Sequence, residues 1–297
     1  MNFAREVVDS APRERPALVA LDGEGNRREI PFGEVADRSA RLASTLARHG
    51  AGRGEVVMTV IGNTPEWVDA MVACFRIGAV ALPCNEQLRP KDLASRIERV
   101  APRVVLAAEH LIDAVAESGF DGPVMVAGDE RLYDAPEAPA VDLAATDPAL
   151  ITFTSGTAGE PKPIRHGQRY LHGQRVQAEH WFGAHAGELC WCTAASGWSK
   201  SARNAFIAPW LRGAAALLHD ARFDPEERLA VIERECVAVL CMSPTEYRTV
   251  VKRAGLQPLP SLRHAVAAGE PLNPEVVFAW RDATGLEVHD GYGQTET

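Results

Sequence analysis

Short apolar runs alternate with longer segments of helical spacing along most of the chain. Eight runs predict strands: GEVVMTVIG, VALP, RVVLAA, PVMVAG, PALITF, AALLHD, CVAVLCM and RHAVAAG. They are continuously apolar, which is typical of strands covered on both faces. The amphipathic segments between them predict the covering helices, so the pattern favours an α/β fold with a mostly parallel sheet.

Capping residues, prolines and glycines mark the predicted helix boundaries. Four helices are predicted to begin where a capping side chain precedes a proline, at Thr64-Pro65, Asp224-Pro225, Ser243-Pro244 and Asn273-Pro274. Four glycines predict helix ends, namely Gly50, Gly78, Gly255 and Gly285. The acidic, proline-containing stretch 129–148 interrupts the alternation and predicts a surface connection between two strands.

Composition narrows the class of protein. The chain has 297 residues, 46% of them hydrophobic, and a formal net charge of −9. At about 150 residues per domain this length predicts two lobes with a substantial core. The acidic balance without basic runs argues against a nucleic-acid partner. No apolar stretch approaches the roughly 18 residues of a membrane span, and MNFAREVVDS has no signal-peptide pattern, so we expect a cytoplasmic protein without a membrane span.

The six cysteines are interpreted as reduced core residues. Most lie in apolar runs, and no C-x-x-C pair is present. Cys190 and Cys192 would point to one face of a strand, but no second pair completes a metal site.

The stretch ITFTSGTAGEPKPIRH, residues 151–166, carries the most specific chemical signal. An apolar strand runs into a loop of small and hydroxyl residues that ends at Lys162. Such a loop can turn several backbone N–H groups and one cation towards a phosphate. It does not match the G-x-x-x-x-G-K-[ST] pattern. From the loop alone, two interpretations stay open, a phosphate-binding site and a flexible turn. For His166, which follows the loop, phosphate binding and simple packing both stay open.

TSGTAGEPK resembles the signature loop of the adenylate-forming (AMP-binding) enzymes, usually TSG[ST]TGxPK. Two further elements follow in that superfamily's order, AAGEPLNPE at 267–275 and DGYGQTET at 290–297. Stretches 75–92 and 196–225 are similar to the medium-chain acyl-CoA synthetases. From about Pro31 onward, the chain is identified as the N-terminal large-domain portion of such an enzyme.

The resemblance implies a specific architecture for residues 1–297. We expect two packed, mostly parallel sheets flanked by helices, ending before the barrel and C-terminal lobe of the superfamily. The implied α/β subdomains are 51–185 and 186–297, with residues 1–50 packed on the second.

The implied reaction joins a carboxylic acid to coenzyme A at the expense of ATP. A carboxylate is a poor electrophile, and an acyl-adenylate intermediate supplies a good leaving group. Charge that concentrates on the triphosphate during this step favours N–H donors, a lysine and Mg²⁺. The resemblance assigns catalytic roles to Lys162, Thr295 and Glu296, with Thr295 at the α-phosphate and Glu296 as the Mg²⁺ ligand.

The resemblance also implies an ATP site. Tyr292 would offer an aromatic face to adenine, and residues 269–271 would form the opposite wall. The implied ATP-binding residues are Thr154, Ser155, Gly156, Thr157, Gly159, Lys162, Gly269, Glu270, Pro271, Asp290, Gly291, Tyr292, Gly293, Gln294 and Thr295. Related loops carry Ser or Thr where this chain has Ala158, so we expect Ala158→Thr to tighten ATP binding by about 1 to 3 kcal/mol.

The acid and its acceptor are less specified. By resemblance Trp198, Ala267 and Ala268 line the acyl pocket, and Gln87 lies near the coenzyme A path. Residues 192–201 contain no acidic side chain that could pair with a substrate amine, so an uncharged acyl tail is favoured.

We therefore expect a carboxylate:CoA ligase, an acid-thiol ligase of fatty acid metabolism acting on a medium-chain or similar acid. The superfamily's catalytic lysine on the C-terminal lobe is absent from these residues, which predicts little turnover by the 297 residues alone. Two alternatives stay open: a non-catalytic nucleotide- or acyl-binding module, and an adenylation domain that loads a carrier protein. A homo-oligomer is compatible with the sequence.

Overall fold

The computed structural model describes residues 1–154 and 160–296. These residues form two compact units. The first unit comprises Met1–Arg15, Ile30–His172 and Ala195–Ser199, and the second comprises Pro16–Glu29, Gly173–Ala194 and Lys200–Thr297. Each contains one mostly parallel sheet with flanking helices, which confirms the predicted α/β class and the two sheets.

The strands of the described residues are β1 (Pro16–Leu21), β2 (Arg27–Pro31), β3 (Val56–Val60), β4 (Val80–Cys84), β5 (Val104–Ala107), β6 (Val124–Val126), β7 (Pro148–Phe153), β8 (Pro163–Gly167), β9 (Leu189–Cys192), β10 (Ala215–His219), β11 (Val239–Met242), β12 (His264–Ala268) and β13 (Val288–Gly291). The α-helices are α1 (Phe32–Arg48), α2 (Pro65–Ile77), α3 (Pro90–Val100), α4 (Ile112–Glu117), α5 (Gln168–His180), α6 (Ala208–Leu211), α7 (Pro225–Arg234), α8 (Pro244–Arg253) and α9 (Pro274–Thr284).

The first unit holds a six-stranded sheet in the order β6-β5-β3-β4-β7-β8. Its strand pairs are parallel except β7 and β8, which form an antiparallel hairpin. Every residue of β3, β4 and β5 is buried, as expected for strands covered on both faces. Helix α1 packs against α2, and α3 packs against α4.

The second unit holds a seven-stranded sheet in the order β13-β12-β11-β9-β10-β1-β2, with parallel pairing from β13 through β1. Trp191, Tyr247 and Trp280 are fully buried within its hydrophobic core, together with Leu240 and Ala267. The parallel arrangement brings the carboxyl ends of β9, β11, β12 and β13 to one edge of this sheet.

Helix boundaries follow the predicted caps with two exceptions. Helices α2, α7, α8 and α9 begin at the four predicted prolines, and three of the four capping side chains accept backbone N–H bonds. The Thr64 side chain makes no capping bond, and its buried hydroxyl has no hydrogen-bond partner within residues 1–154 and 160–296. Helix α8 does end just before Gly255, at Arg253, but Ala254 leaves the helix in an extended conformation and Gly255 does not adopt the predicted left-handed geometry.

The first 50 residues do not pack together on the second unit as predicted. Only Pro16–Glu29 belong to it, because β1 pairs with β10 in the seven-stranded sheet. Met1–Arg15 and the residues from Ile30 onward lie in the first unit, where α1 packs on α2.

The stretch 129–148 connects β6 to β7, as predicted, but it is anchored rather than loosely attached. The Ala138 N–H donates to the Ala40 carbonyl, and the Val141 N–H donates to the Arg76 carbonyl. The Tyr133 ring is buried beneath the guanidinium of Arg38. In 1–154 and 160–296, no helix combines the length and apolarity needed to cross a bilayer.

Candidate functional site

In the first unit, candidate residues collect at the carboxyl ends of three neighbouring strands. Strands β3, β4 and β7 lie side by side, and they end near Ile61, Asn85 and Thr154. The Ser196 hydroxyl donates to the Ile61 carbonyl. Gly197 has φ +87°, and a Cβ there would lie 2.5 Å from the Asn85 nitrogen. This close approach fixes the backbone next to Trp198.

Trp198 and Gln87 are both accessible in this unit. Trp198 is 55% exposed, so one face of its ring is available to a ligand. Gln87 is exposed, and its N–H donates to the Asn85 side chain at 2.8 Å. The roles predicted for them, in the acyl pocket and the coenzyme A path, stay predictions.

The two flanks of the phosphate-loop motif are joined by reciprocal bonds. The Thr154 N–H donates to the Lys162 carbonyl at 3.0 Å, and the Lys162 N–H donates to the Thr154 hydroxyl at 3.0 Å. Lys162 is exposed, and Glu160 pairs with Arg99 of α3. The predicted ligands Ser155, Gly156, Thr157 and Gly159, and the departure at Ala158, lie outside the described residues.

His166 lies on β8 next to this loop. Its ring is buried and stacks on Tyr170 with a centroid separation of 4.0 Å. This geometry supports the packing interpretation of His166.

In the second unit, sheet register brings the second and third motifs together. Ala267 lies opposite Asp290, and Ala268 lies opposite Gly291. Residues 269–271 and 292–296 therefore leave the same sheet edge from adjacent strands. The Leu272 N–H donates to the Asp290 carboxylate at 3.3 Å, which links the two segments directly.

Glu270 is held by the start of α8. Its carboxylate accepts the Thr245 N–H at 3.0 Å and the Thr245 hydroxyl, and the Arg248 guanidinium lies 3.9 Å away. A carboxylate at a helix N-terminus is favoured by the free N–H groups there. The side chain of Glu270 thus anchors the 269–271 segment.

Gly291 packs on the Trp181 indole. A Cβ at 291 would lie 2.5 Å from the indole Nε1, a buried donor without a partner in the described residues. The Trp181 carbonyl accepts a bond from His264 Nε2 at 2.8 Å. Burial lowers the pKa of His264, so the neutral ring with its proton on Nε2 makes this contact.

The predicted nucleotide residues after β13 are open to solvent. Tyr292 is 92% exposed, and Glu296 is also exposed. Gly293 and Thr295 are half-buried between them, and Gln294 is exposed. An aromatic face and a carboxylate are therefore accessible four residues apart.

Ala267 and Ala268 cannot line the same side of a pocket. Successive residues of a strand point to opposite faces. Ala267 pairs with Met242 and belongs to the hydrophobic core, whereas Ala268 shares its face with Val266, Cys241 and Cys192. If one pocket opens on this face, only Ala268 lines it, so the paired assignment is corrected.

Two cations at this edge were missed by the sequence reasoning. The Lys200 ammonium donates to the Ala268 carbonyl, and a Cβ at Gly269 would lie 3.3 Å from it. One helical turn later, Arg203 Nη2 would lie 3.7 Å from a Cβ at Gly293. The signal was available, because SKSAR places two cations three residues apart directly after Trp198.

Beneath the edge lie a thiol pair and a buried ion pair. The neighbouring Cys241 lowers the pKa of Cys192, and the Cys192 thiol donates to the Lys200 carbonyl at 3.8 Å. Arg228 of α7 contacts Glu246 of α8 at 3.1 Å, and Glu246 also accepts from the Ser243 N–H at 3.0 Å and the Thr193 hydroxyl at 2.8 Å. All the cysteines are free, and all but Cys236 are buried.

Curated relatives span the same region. The mitochondrial acyl-coenzyme A synthetase ACSM3 of Mus musculus is 33% identical over 100% of this chain and 56% of its own length. The mitochondrial acyl-coenzyme A synthetase ACSM4 of Rattus norvegicus is 33% identical over 99% of this chain and 56% of its length. The chain thus spans about half the length of the curated relatives that it matches.

Solved structures share the fold. An acyl-CoA synthetase from Brucella canis superposes with a TM-score of 0.93 at 29% identity, covering 100% of this chain and 58% of that one. ATP-bound MatB from Rhodopseudomonas palustris gives 0.88 at 22% identity, covering 100% and 61%. The model of the AMP-binding enzyme family matches residues 4–297. The chain therefore belongs to the AMP-binding enzyme family.

Proposed function

We propose that this chain is the nucleotide- and acid-binding portion of an ATP-dependent carboxylate:CoA ligase. The observation that carries the proposal is the register of β12 against β13, which joins residues 267–271 to residues 290–296 at one sheet edge in a chain matched to the AMP-binding family. The acyl-CoA synthetases at 31–33% identity support coenzyme A, rather than a carrier protein, as the acceptor.

The proposed roles follow from what the side chains offer. Tyr292 stacks on adenine, because its ring is exposed beside the small residues Gly291 and Gly293. Residues 269–271 face the other side of the base, with Glu270 anchored to α8. Lys162 supplies positive charge to the phosphates, and Thr295 supplies a hydroxyl to the α-phosphate.

Glu296 fits the role of Mg²⁺ ligand. Its side chain is exposed. Residues 1–154 and 160–296 contain no cluster of three His, Cys, Asp or Glu side chains that could hold a metal ion by themselves. Mg²⁺ commonly binds through one or two carboxylates together with substrate phosphates, so a single carboxylate suffices. When bound, the ion neutralises charge that develops on the triphosphate.

The substrate proposed is an organic acid without an amino group, since residues 192–201 carry no counter-ion for an ammonium. Pyrophosphate release over a panel of carboxylic acids, with free coenzyme A compared against a phosphopantetheinyl carrier protein, separates the ligase from a carrier-loading adenylation domain.

Calorimetric titration with Mg·ATP tests the proposal on the chain itself. We expect Tyr292→Ala and Lys162→Met each to weaken binding by about tenfold, which corresponds to roughly 1.4 kcal/mol. Phe278→Ala is the matched control, because Phe278 is an exposed aromatic residue on α9 with no proposed ligand role. Absence of ATP binding by the unmodified chain, or unchanged binding by Tyr292→Ala, would contradict the proposal.

A further inference from the structure

Within residues 1–154 and 160–296, Arg203 is a cation without an acidic counter-ion at the proposed ligand edge. It begins the short helical turn Arg203–Ile207 and is half-buried. Across residues 1–154 and 160–296, no Asp or Glu forms an ion pair with it. By contrast, Arg212 pairs with Glu179 and Arg263 with Glu188.

Two observations locate Arg203 at this edge. Its Nη2 atom lies next to Gly293, and Lys200, one turn earlier, reaches the Ala268 carbonyl. The turn that carries both cations therefore lies against the ends of β12 and β13. Lys200 thus lies at the end of β12 beside Ala268, and Arg203 lies beside Gly293, just beyond the end of β13.

Among the residues that the structure describes, the strand side chains that share the face of Ala268 supply no negative partner. Ala268 shares its face with Val266, Cys241 and Cys192, which are apolar or thiol groups. A half-buried guanidinium without an anion is costly, because burial removes water without providing a substitute. An alkyl tail packed there would leave that cost in place.

We propose that Arg203 binds a second anionic group of the acid substrate, so that the site takes dicarboxylic acids in preference to purely alkyl acids. This inference rests on the proposed function. A guanidinium presents a planar fork of N–H donors that matches a carboxylate in two parallel bonds. The carboxylate that is activated and the one held by Arg203 are then opposite ends of one molecule. The absence of acidic residues at 192–201 led us to expect an uncharged acyl tail. Arg203, just beyond that segment, changes this expectation to a tail that ends in an anionic group.

A phosphate of the nucleotide presents the same anionic oxygens to a guanidinium, and the test must distinguish the two sources. Three probes do so: AMP, a non-hydrolysable acyl-sulfamoyl adenosine with an alkyl tail, and its analogue of equal length whose tail ends in a carboxylate. Their affinities for the chain are measured by calorimetry. The variants are Arg203→Met and Arg203→Lys, with Arg281→Met as an exposed control on α9.

We expect the unmodified chain to bind the carboxylate-tailed probe about tenfold or more tightly than the alkyl probe, as for a charge-assisted bidentate pair. Arg203→Met should abolish this difference and leave the AMP and alkyl affinities unchanged, Arg203→Lys should retain part of it, and Arg281→Met should retain all of it.

Two results would overturn the inference alone: no preference in the unmodified chain, or an equal loss for all three probes in Arg203→Met, which would assign Arg203 to the phosphate. Arg203→Lys gives the same readout should Arg203→Met not fold. Failure of the unmodified chain to bind any of the three probes would overturn the proposed function, and this inference with it.

Discussion

Gly291 runs against the edge of the Trp181 indole so closely that a Cβ at this position would lie 2.5 Å from Nε1. The contact places a rigid aromatic platform behind the residue that precedes Tyr292. The indole belongs to the segment that follows α5, so this contact packs that segment against the end of β13, although the two are distant in sequence.

Gly291→Ala should therefore destabilise the chain. Relieving the clash requires a shift of the indole or of β13, and overpacking of this kind costs about 1 to 3 kcal/mol. Urea denaturation measures the change. Gly255→Ala is the control, because nothing lies within 4 Å of its added Cβ.

Adding Trp181→Ala should restore part of the stability lost in Gly291→Ala, since it removes the atoms that the methyl group meets. If Gly291→Ala unfolds at the same urea concentration as the unmodified chain, the packing described for Gly291 is incorrect.

Thr245→Val should weaken nucleotide binding with little effect on folding. The hydroxyl of Thr245 donates to Glu270 and accepts from Arg248 at 2.8 Å, so its loss loosens the proposed adenine wall. One lost hydrogen bond of about 1 kcal/mol corresponds to roughly fivefold in affinity.

Thr249→Val is the matched control for Thr245→Val. Its hydroxyl donates only to the Thr245 carbonyl, one turn further along the exposed face of α8. Equal ATP affinity in the two variants would show that the anchor of Glu270 does not affect the wall.

Arg228→Met should be strongly destabilising. It leaves the partly buried Glu246 carboxylate without its cation, and the cost of breaking one half of a fully buried ion pair, about 3 to 5 kcal/mol, is the upper bound of the expected loss. Arg281→Met, at an exposed pair with Asp282 in α9, should cost less than about 1 kcal/mol. Thermal unfolding compares them, and similar losses in both variants would count against this account.

The stability of the first unit should depend on the protonation of Asp69. Burial raises the pKa of Asp69 to about 7 from its ordinary 3.8, and Arg38, whose Nε lies 2.9 Å away, offsets only part of this. The Tyr133 hydroxyl donates to the same carboxylate at 3.3 Å.

The folded chain therefore binds a proton at Asp69 more tightly than the unfolded chain does. Its contribution to the free energy of unfolding is complete below about pH 4 and is lost as pH rises through about 7, by at most about 1.4 kcal/mol per pH unit. Asp69→Asn removes this dependence. Urea unfolding of both proteins from pH 4 to 8 should give converging or crossing profiles, and parallel profiles would refute the assignment.

The strands that the sequence predicted are internal except β6, whereas three of those that it missed lie at sheet edges. Strands β3, β4, β5, β11 and β12 are internal, and their apolar runs are legible because both faces are covered. Strands β2, β8 and β13 lie at sheet edges and are mostly exposed or half-buried, so their sequences carry no apolar run. Strand β1 is internal and apolar, and PALVAL was a signal that the pattern analysis passed over.

The candidate site divides in the same way. The motifs at 267–271 and 290–296 were found because they resemble elements of the adenylate-forming enzymes, and the register of β12 and β13 brings them together. The opposite faces of Ala267 and Ala268 follow from strand geometry, which a motif does not encode. Arg203 was missed because its place beside Gly293 depends on how one short helical turn packs, a tertiary contact with no local signature.

The 5 residues of strand β12 point alternately to the two faces of the sheet, and the two faces have different surroundings. Substitutions at Ala265 and Ala267 should affect packing against the helices that cover the core. Substitutions at Ala268 should affect whatever binds on the opposite face. In a mutational scan along this strand, effects on stability and effects on ligand preference should therefore alternate from one residue to the next. Substitutions at positions on the ligand-facing side can therefore change ligand preference without lowering the stability of the core.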